Sequence, residues 1–130
     1  MKITTELHNK ITFAVSQKYA AAREEIRKAE ETFTQEATNR LLLELNTVCN
    51  LYPNIEHLCK GRFCKTKLEL VQQNMYSVPE VTQARKNFRE KHDALNKEIE
   101  NETNNIIIQI SYGKTLDDVV KAFANYGLPF

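Results

Sequence analysis

Three cysteines and a histidine fall within one short stretch, as Cys49, His57, Cys59 and Cys64. Three thiolates and one imidazole make a complete ligand set for tetrahedral zinc. The spacing is unfavourable, because Cys59 and Cys64 form a lone C-x4-C with no second close pair. Buried free thiols are the favoured reading, and no metal or other cofactor is expected. The same stretch carries Lys60, Arg62, Lys65 and Lys67, with Tyr52, Phe63 and Tyr76 nearby. Cations interleaved with aromatic rings are what phosphate contacts and base stacking require. These residues form the candidate anion or nucleic-acid site. The competing reading is a solvated edge strand guarded by lysines.

No catalytic residue is assigned. His92 lies on an apolar stripe and reads as a core or interface histidine, and His8 reads as a surface one. Asp117 and Asp118 read as helix-start residues. No Ser–His–Asp spacing, Gly-rich phosphate loop or catalytic carboxylate pair is recognisable, so nothing positions a nucleophile and a binding role is favoured over an enzyme.

The elements that must position these residues follow from composition and periodicity. A chain of 130 residues with 42% hydrophobic and 27% charged residues is expected to fold as a single domain over 1–130. Only three Gly and three Pro are present, which favours long uninterrupted elements over a turn-rich β fold. The net charge of +1 provides no global field for nucleic acid or membranes, so any charged site must be local. No apolar run approaches the roughly 20 residues of a membrane helix, and the start, MKITTELHNKITF, is too polar for a signal peptide. The odd cysteine count, three, suits a reducing compartment. Cytoplasmic residence with no membrane partner is the expectation.

The spacing predicts one long helix over 4–48, with a stripe Leu7, Ile11, Val15, Tyr19, Ala22, Ile26, Ala29, Phe33, Ala37, Leu41, Leu45 and Val48. Threonines at 32, 34 and 38 mark where a bend is expected. Residues 50–76 read as a loop or β insert. Near-alternation after Lys60-Gly61 suggests a short β-hairpin between arms at 55–59 and 63–70, with a helix over 66–75 as the rival. A second long helix is predicted over 78–111, opened by Ser77-Val78-Pro79-Glu80. Its near-heptad stripe is Val81, Ala84, Phe88, His92, Leu95, Ile99, Thr103, Ile106 and Ile110. Gly113 is expected to end it in the left-handed region. A short helix over 115–126 follows, with Leu116, Val119, Val120 and Phe123 on its apolar face. The expected fold is mainly α: a long antiparallel helical hairpin, a short β-hairpin or irregular insert at its tip, and a short C-terminal helix. Leu41 to Leu45, apolar on more than one face, suggests a homodimer or higher oligomer.

The two ends of the chain carry a resemblance. The N-terminal MKITTELHNKITFAVSQKYAAAREEIRKAEETF looks like the opening of a family of small bacteriophage proteins, the fifth type of nucleotide modification associated domain. The C-terminal ISYGKTLDDVVKAFANYGLPF is similar to that family's ending. There Thr115 and Leu116 match the start of its short helix and Tyr126 stands at its closing aromatic. Gly127-Leu128-Pro129 departs from the family's Trp-Pro-Glu. The resemblance implies a phage source, a helical hairpin with a small β element, and no catalytic residues to carry over. Taken with the helical surface, it leads to the expectation of an accessory protein that binds and modulates a host protein, inhibitor-like, such as a defence or nucleic-acid-processing enzyme. A nucleotide or nucleic-acid binder, or a subunit associated with nucleotide modification, is the alternative.

Overall fold

In a computed structural model of the chain, residues 1–52 and 66–130 are described. All regular secondary structure among the described residues is helical. It comprises α1 (Thr5–Lys18), α2 (Ala20–Leu51), α3 (Lys67–Asn74), a 3₁₀ turn (Met75–Ser77), α4 (Pro79–Ser111) and α5 (Leu116–Asn125).

The predicted first helix forms almost as one piece. Its interruption lies at Tyr19, which leaves helical geometry with φ −96° and ψ 3°. No break occurs at the threonines. Thr34 and Thr38 each turn their hydroxyl back onto the carbonyl four residues earlier, Glu30 and Thr34, at 2.9 and 2.8 Å. That local bond satisfies the hydroxyl and lets the helix run on.

The β-hairpin expected in the insert is corrected. Among the described residues there is no strand, and the end of its proposed second arm, from Lys67 onward, belongs to a helix. Thr66 caps α3, its hydroxyl accepting from the Glu69 N–H at 3.2 Å. The decisive signal is Val71 and Met75, four residues apart and both buried, which outweighs the short alternation of 65–70. The rest of the proposed hairpin, at 55–65, lies outside the described residues.

The chain divides into two compact units, and α2 and α4 contribute to both. One unit comprises Met1–Ile26 with Glu90–Phe130, the other Arg27–Arg89. In the first unit, Ile11, Ala14 and Val15 of α1 pack with Ile106 and Ile110 of α4 and with Val119, Ala122 and Phe123 of α5. Phe123, Ile11, Ile106 and Ile110 are wholly buried, each contributing about 1.5–3 kcal/mol by removal from water. The pairing is antiparallel: Lys18 meets Glu102, and Arg23 meets Asn96. The face of α5 is turned from the expected one. Ala122 is buried, while Leu116 and Val120 remain exposed.

Gly113 is also corrected: it does not adopt the left-handed conformation, which belongs to Gly127 at φ +67°. Gly113 is needed for a different reason. A Cβ there would stand 2.7 Å from the Cβ of Asp118. Asp118 must come this close because its carboxylate accepts from the Lys114 and Thr115 N–H groups at 2.7 and 3.0 Å, capping α5.

The core of the second unit is thinner. Ala37, Met75 and Val81 are buried, with Phe33, Leu41 and Val78 packed around them. Phe33 and Phe88 meet at 6.1 Å in a tilted pair, and Arg40 bonds Glu80 at 2.9 Å. Here too rising numbers on α2 face falling numbers on α4, so the pair is antiparallel.

Candidate functional site

Two surface features of the second unit stand on either side of the Met75–Ser77 turn. The first is an apolar groove of about 360 Å³, lined by Leu41, Leu45, Leu70, Val71, Asn74, Met75 and Val78. Leu41 and Leu45 lie one turn apart on α2 and form one wall. Leu70 with Val78 forms the other, and the buried Val71 and Met75 make the floor. The α3 that contributes Leu70, Val71 and Asn74 to this lining is only eight residues long. Elsewhere on α2, Leu43 and Leu51 stay 67% and 69% exposed.

The second feature is a cleft of about 260 Å³ lined by Tyr76, Thr82, Arg85, Lys86 and Arg89. The Arg85 guanidinium stacks on the Tyr76 ring, 4.2 Å from its centroid. Thr82 donates its hydroxyl to the Tyr76 carbonyl at 2.7 Å, tying the turn to the start of α4.

Among the residues predicted from the sequence, Lys60, Arg62, Phe63 and Lys65 lie outside the described residues, as do His57, Cys59 and Cys64. Tyr52 is 64% exposed at the end of α2, and Lys67 is half-buried at the start of α3. Among the described members of the predicted set, Tyr76 alone lines the basic cleft. Cys49 is a buried free thiol, and among the described residues no three His, Cys, Asp or Glu side chains converge as a metal site would require. Sequence reasoning missed Arg85, Lys86 and Arg89. The signal was available: two arginines four apart on a helix share a face, and Lys86 adjoins it.

The first unit holds one buried charge. Glu102 is 8% exposed. Its Oε1 accepts from Lys18 Nζ, which also donates to the Tyr126 carbonyl at 2.9 Å, while Oε2 accepts no hydrogen bond of good geometry. The neighbouring Tyr19 phenol is pushed up to about 12, first by hydrogen bonding with Glu102 and then by burial. The Asp118 carboxyl is lowered, chiefly by the Lys114 and Thr115 backbone N–H groups. Both are stabilising arrangements: Glu102 offsets Lys18, and Asp118 caps α5.

No helix among the described residues is long and apolar enough to cross a membrane. No family model matches the chain, and neither a curated protein nor a solved structure is found to be similar to it.

Proposed function

We propose that the chain is a binding protein whose apolar groove receives a hydrophobic helix of a partner protein, and that it acts by occupying that partner. The observation that supports this is the groove itself: paired leucines on one wall, an apolar floor, and a single polar lining residue, Asn74. Helix-in-groove recognition uses such a surface, with anchors at three- and four-residue spacing. A leucine or phenylalanine buried there contributes about 1.5–3 kcal/mol, so two or three anchors account for useful affinity. The resemblance of the chain ends to a phage family supports a partner in the bacterial host, met in the cytoplasm.

The test is affinity capture from bacterial lysate with the full chain and with Leu70→Asp, both checked for helix content. Proteins held by the wild type and released by Leu70→Asp support the reading. Equal capture by both overturns it. Light scattering of the same two proteins identifies the occupant. A wild-type dimer that dissociates on Leu70→Asp assigns the groove to a second copy and overturns the heterologous partner.

A further inference from the structure

We propose that the cleft of Tyr76, Arg85, Lys86 and Arg89 seats a phosphodiester of a single-stranded nucleic acid, with an adjacent base against the Tyr76 ring. The site is separate from the apolar groove and does not depend on it.

The chemistry of the lining carries the inference. Arg85, Lys86 and Arg89 bring cationic groups to one cleft that no carboxylate lines. None of the three forms an ion pair with a described carboxylate, although the same helix pairs Glu80 with Arg40 nearby. Cations crowded together repel one another, and an anion between them relieves that repulsion. Arg85 and Arg89 lie one turn apart, roughly 6 Å along the helix, so both reach one phosphate or two successive ones. The Arg85 guanidinium lies over the Tyr76 ring, its Cζ 4.2 Å from the centroid. A guanidinium set against a ring still has its N–H fork for a two-pronged bond to phosphate oxygens, which a lysine in its place would not provide.

Size selects among phosphate ligands. The cleft, at about 260 Å³, is smaller than the roughly 300–1,000 Å³ of sites that enclose a small molecule. It holds a phosphate and leaves the rest of the ligand outside, which suits a strand passing over the surface better than a nucleotide swallowed whole. Tyr76 is 46% exposed with Arg85 over one face of its ring, so the opposite face is the surface proposed for a base. Base stacking on such a ring tolerates any sequence.

The experiment is a fluorescence titration of the full chain with a short labelled oligothymidylate, and separately with thymidine monophosphate and with inorganic phosphate, at several salt concentrations. The expected wild-type slope of log affinity on log salt is about −2, at roughly 0.7 per neutralised phosphate contact for a single strand. Arg85→Ala with Arg89→Ala should weaken the strand at least about tenfold and reduce the slope by roughly 1.4. Lys28→Ala with Lys97→Ala removes the same charge elsewhere and should leave both nearly unchanged. Tyr76→Leu should weaken binding with the salt slope intact. No binding of the strand by the wild type overturns the proposal, as does equal weakening by the two double variants. Thymidine monophosphate or inorganic phosphate binding as tightly as the strand overturns the assignment to a strand. Circular dichroism of each variant confirms that the helices persist, and Arg85→Lys, which keeps the charge but not the fork, should lose affinity with the salt slope nearly preserved.

Discussion

Replacing Lys18 by Met should destabilise the chain more than any other surface-accessible charge removal. Glu102 is 8% exposed and Lys18 supplies its countercharge. Removing one partner of a buried ion pair costs about 3–5 kcal/mol, because the remaining charge is stranded. The Lys18 side chain is 39% exposed, so water can approach the abandoned carboxylate, and the lower end, about 3 kcal/mol, is expected. Met keeps the stem packing, so the loss reports the charge. The same lysine holds the Tyr126 carbonyl at the end of α5, where a cation also favours the helix dipole. Against a total stability of about 5–15 kcal/mol this is a large fraction. At the urea dependence usual for small proteins, about 1–3 kcal/mol per molar, the midpoint should fall by roughly 1–3 M. Glu102→Leu leaves a lysine that can turn to solvent and should cost less. In the double variant both charges are gone, and most of the Lys18→Met loss should be recovered. Urea unfolding followed by circular dichroism measures all four proteins. Losses that simply add, within about 0.5 kcal/mol, would refute the reasoning that Lys18 neutralises a buried charge.

Three further outcomes follow from the same unit. Tyr19 titrates at about 12 in the folded chain, above its ordinary 10.0. Folding therefore favours the protonated phenol, and this contribution is whole below about pH 10 and lost between roughly 10 and 12. Ultraviolet titration should find one late-ionising tyrosine that Glu102→Gln returns toward the ordinary value; an unmoved titration would count against the contact. Gly113→Ala forces a Cβ to 2.7 Å from Asp118 Cβ and should cost about 1–3 kcal/mol by thermal unfolding, as overpacking does. A neutral result would mean the close approach yields freely. Asp118 has a lowered folded pKa, so its contribution is present above the ordinary aspartate value of about 4 and is lost as pH falls through the folded one. Asp118→Asn should remove that acid dependence, and identical acid unfolding curves would sink the assignment.

The helices were legible because their signals are long and mutually consistent. The stripe from Val81 to Ile110 is buried or half-buried at every expected position. What failed were local signals a few residues long. The alternation at 65–70 mimicked a strand, but Val71 and Met75, just beyond it, carried the helical spacing that packing rewards. Gly113 looked like a left-handed stop because it follows an apolar run, yet its role is to admit Asp118, a contact between elements that spacing does not encode. Glu102 was illegible for the same reason. A glutamate on a charged helix reads as solvated, and only the arrival of Lys18 from another helix makes its burial tolerable. The basic cleft was less legible than the denser run of cations at 60–67, because it depends on the turn that brings Tyr76 against Arg85, a contact that helix spacing does not encode.

That turn is also what keeps the two candidate surfaces separable. The 3₁₀ turn covers Met75–Ser77, where neighbours diverge by about 120°. Tyr76 accordingly lines the cleft while Met75 lines the apolar groove, and Val78, just beyond the turn, lines the groove as well. A helix continued unbroken through 78 would instead carry Val78 onward at about 100° per residue. Pro79 at the first position of α4 prevents this, because proline disfavours helical geometry in the residue before it, and Val78 is extended at φ −73° and ψ 124°. The consequence is chemical independence across one peptide bond. Substitution at Tyr76 alters a ring that contributes nothing to the groove floor, and Leu70 lies on the groove wall away from the cations. Loss of partner capture and loss of phosphate binding should therefore segregate between Leu70→Asp and Tyr76→Leu. A single variant that abolished both while remaining helical would mean that the groove and the cleft are one surface.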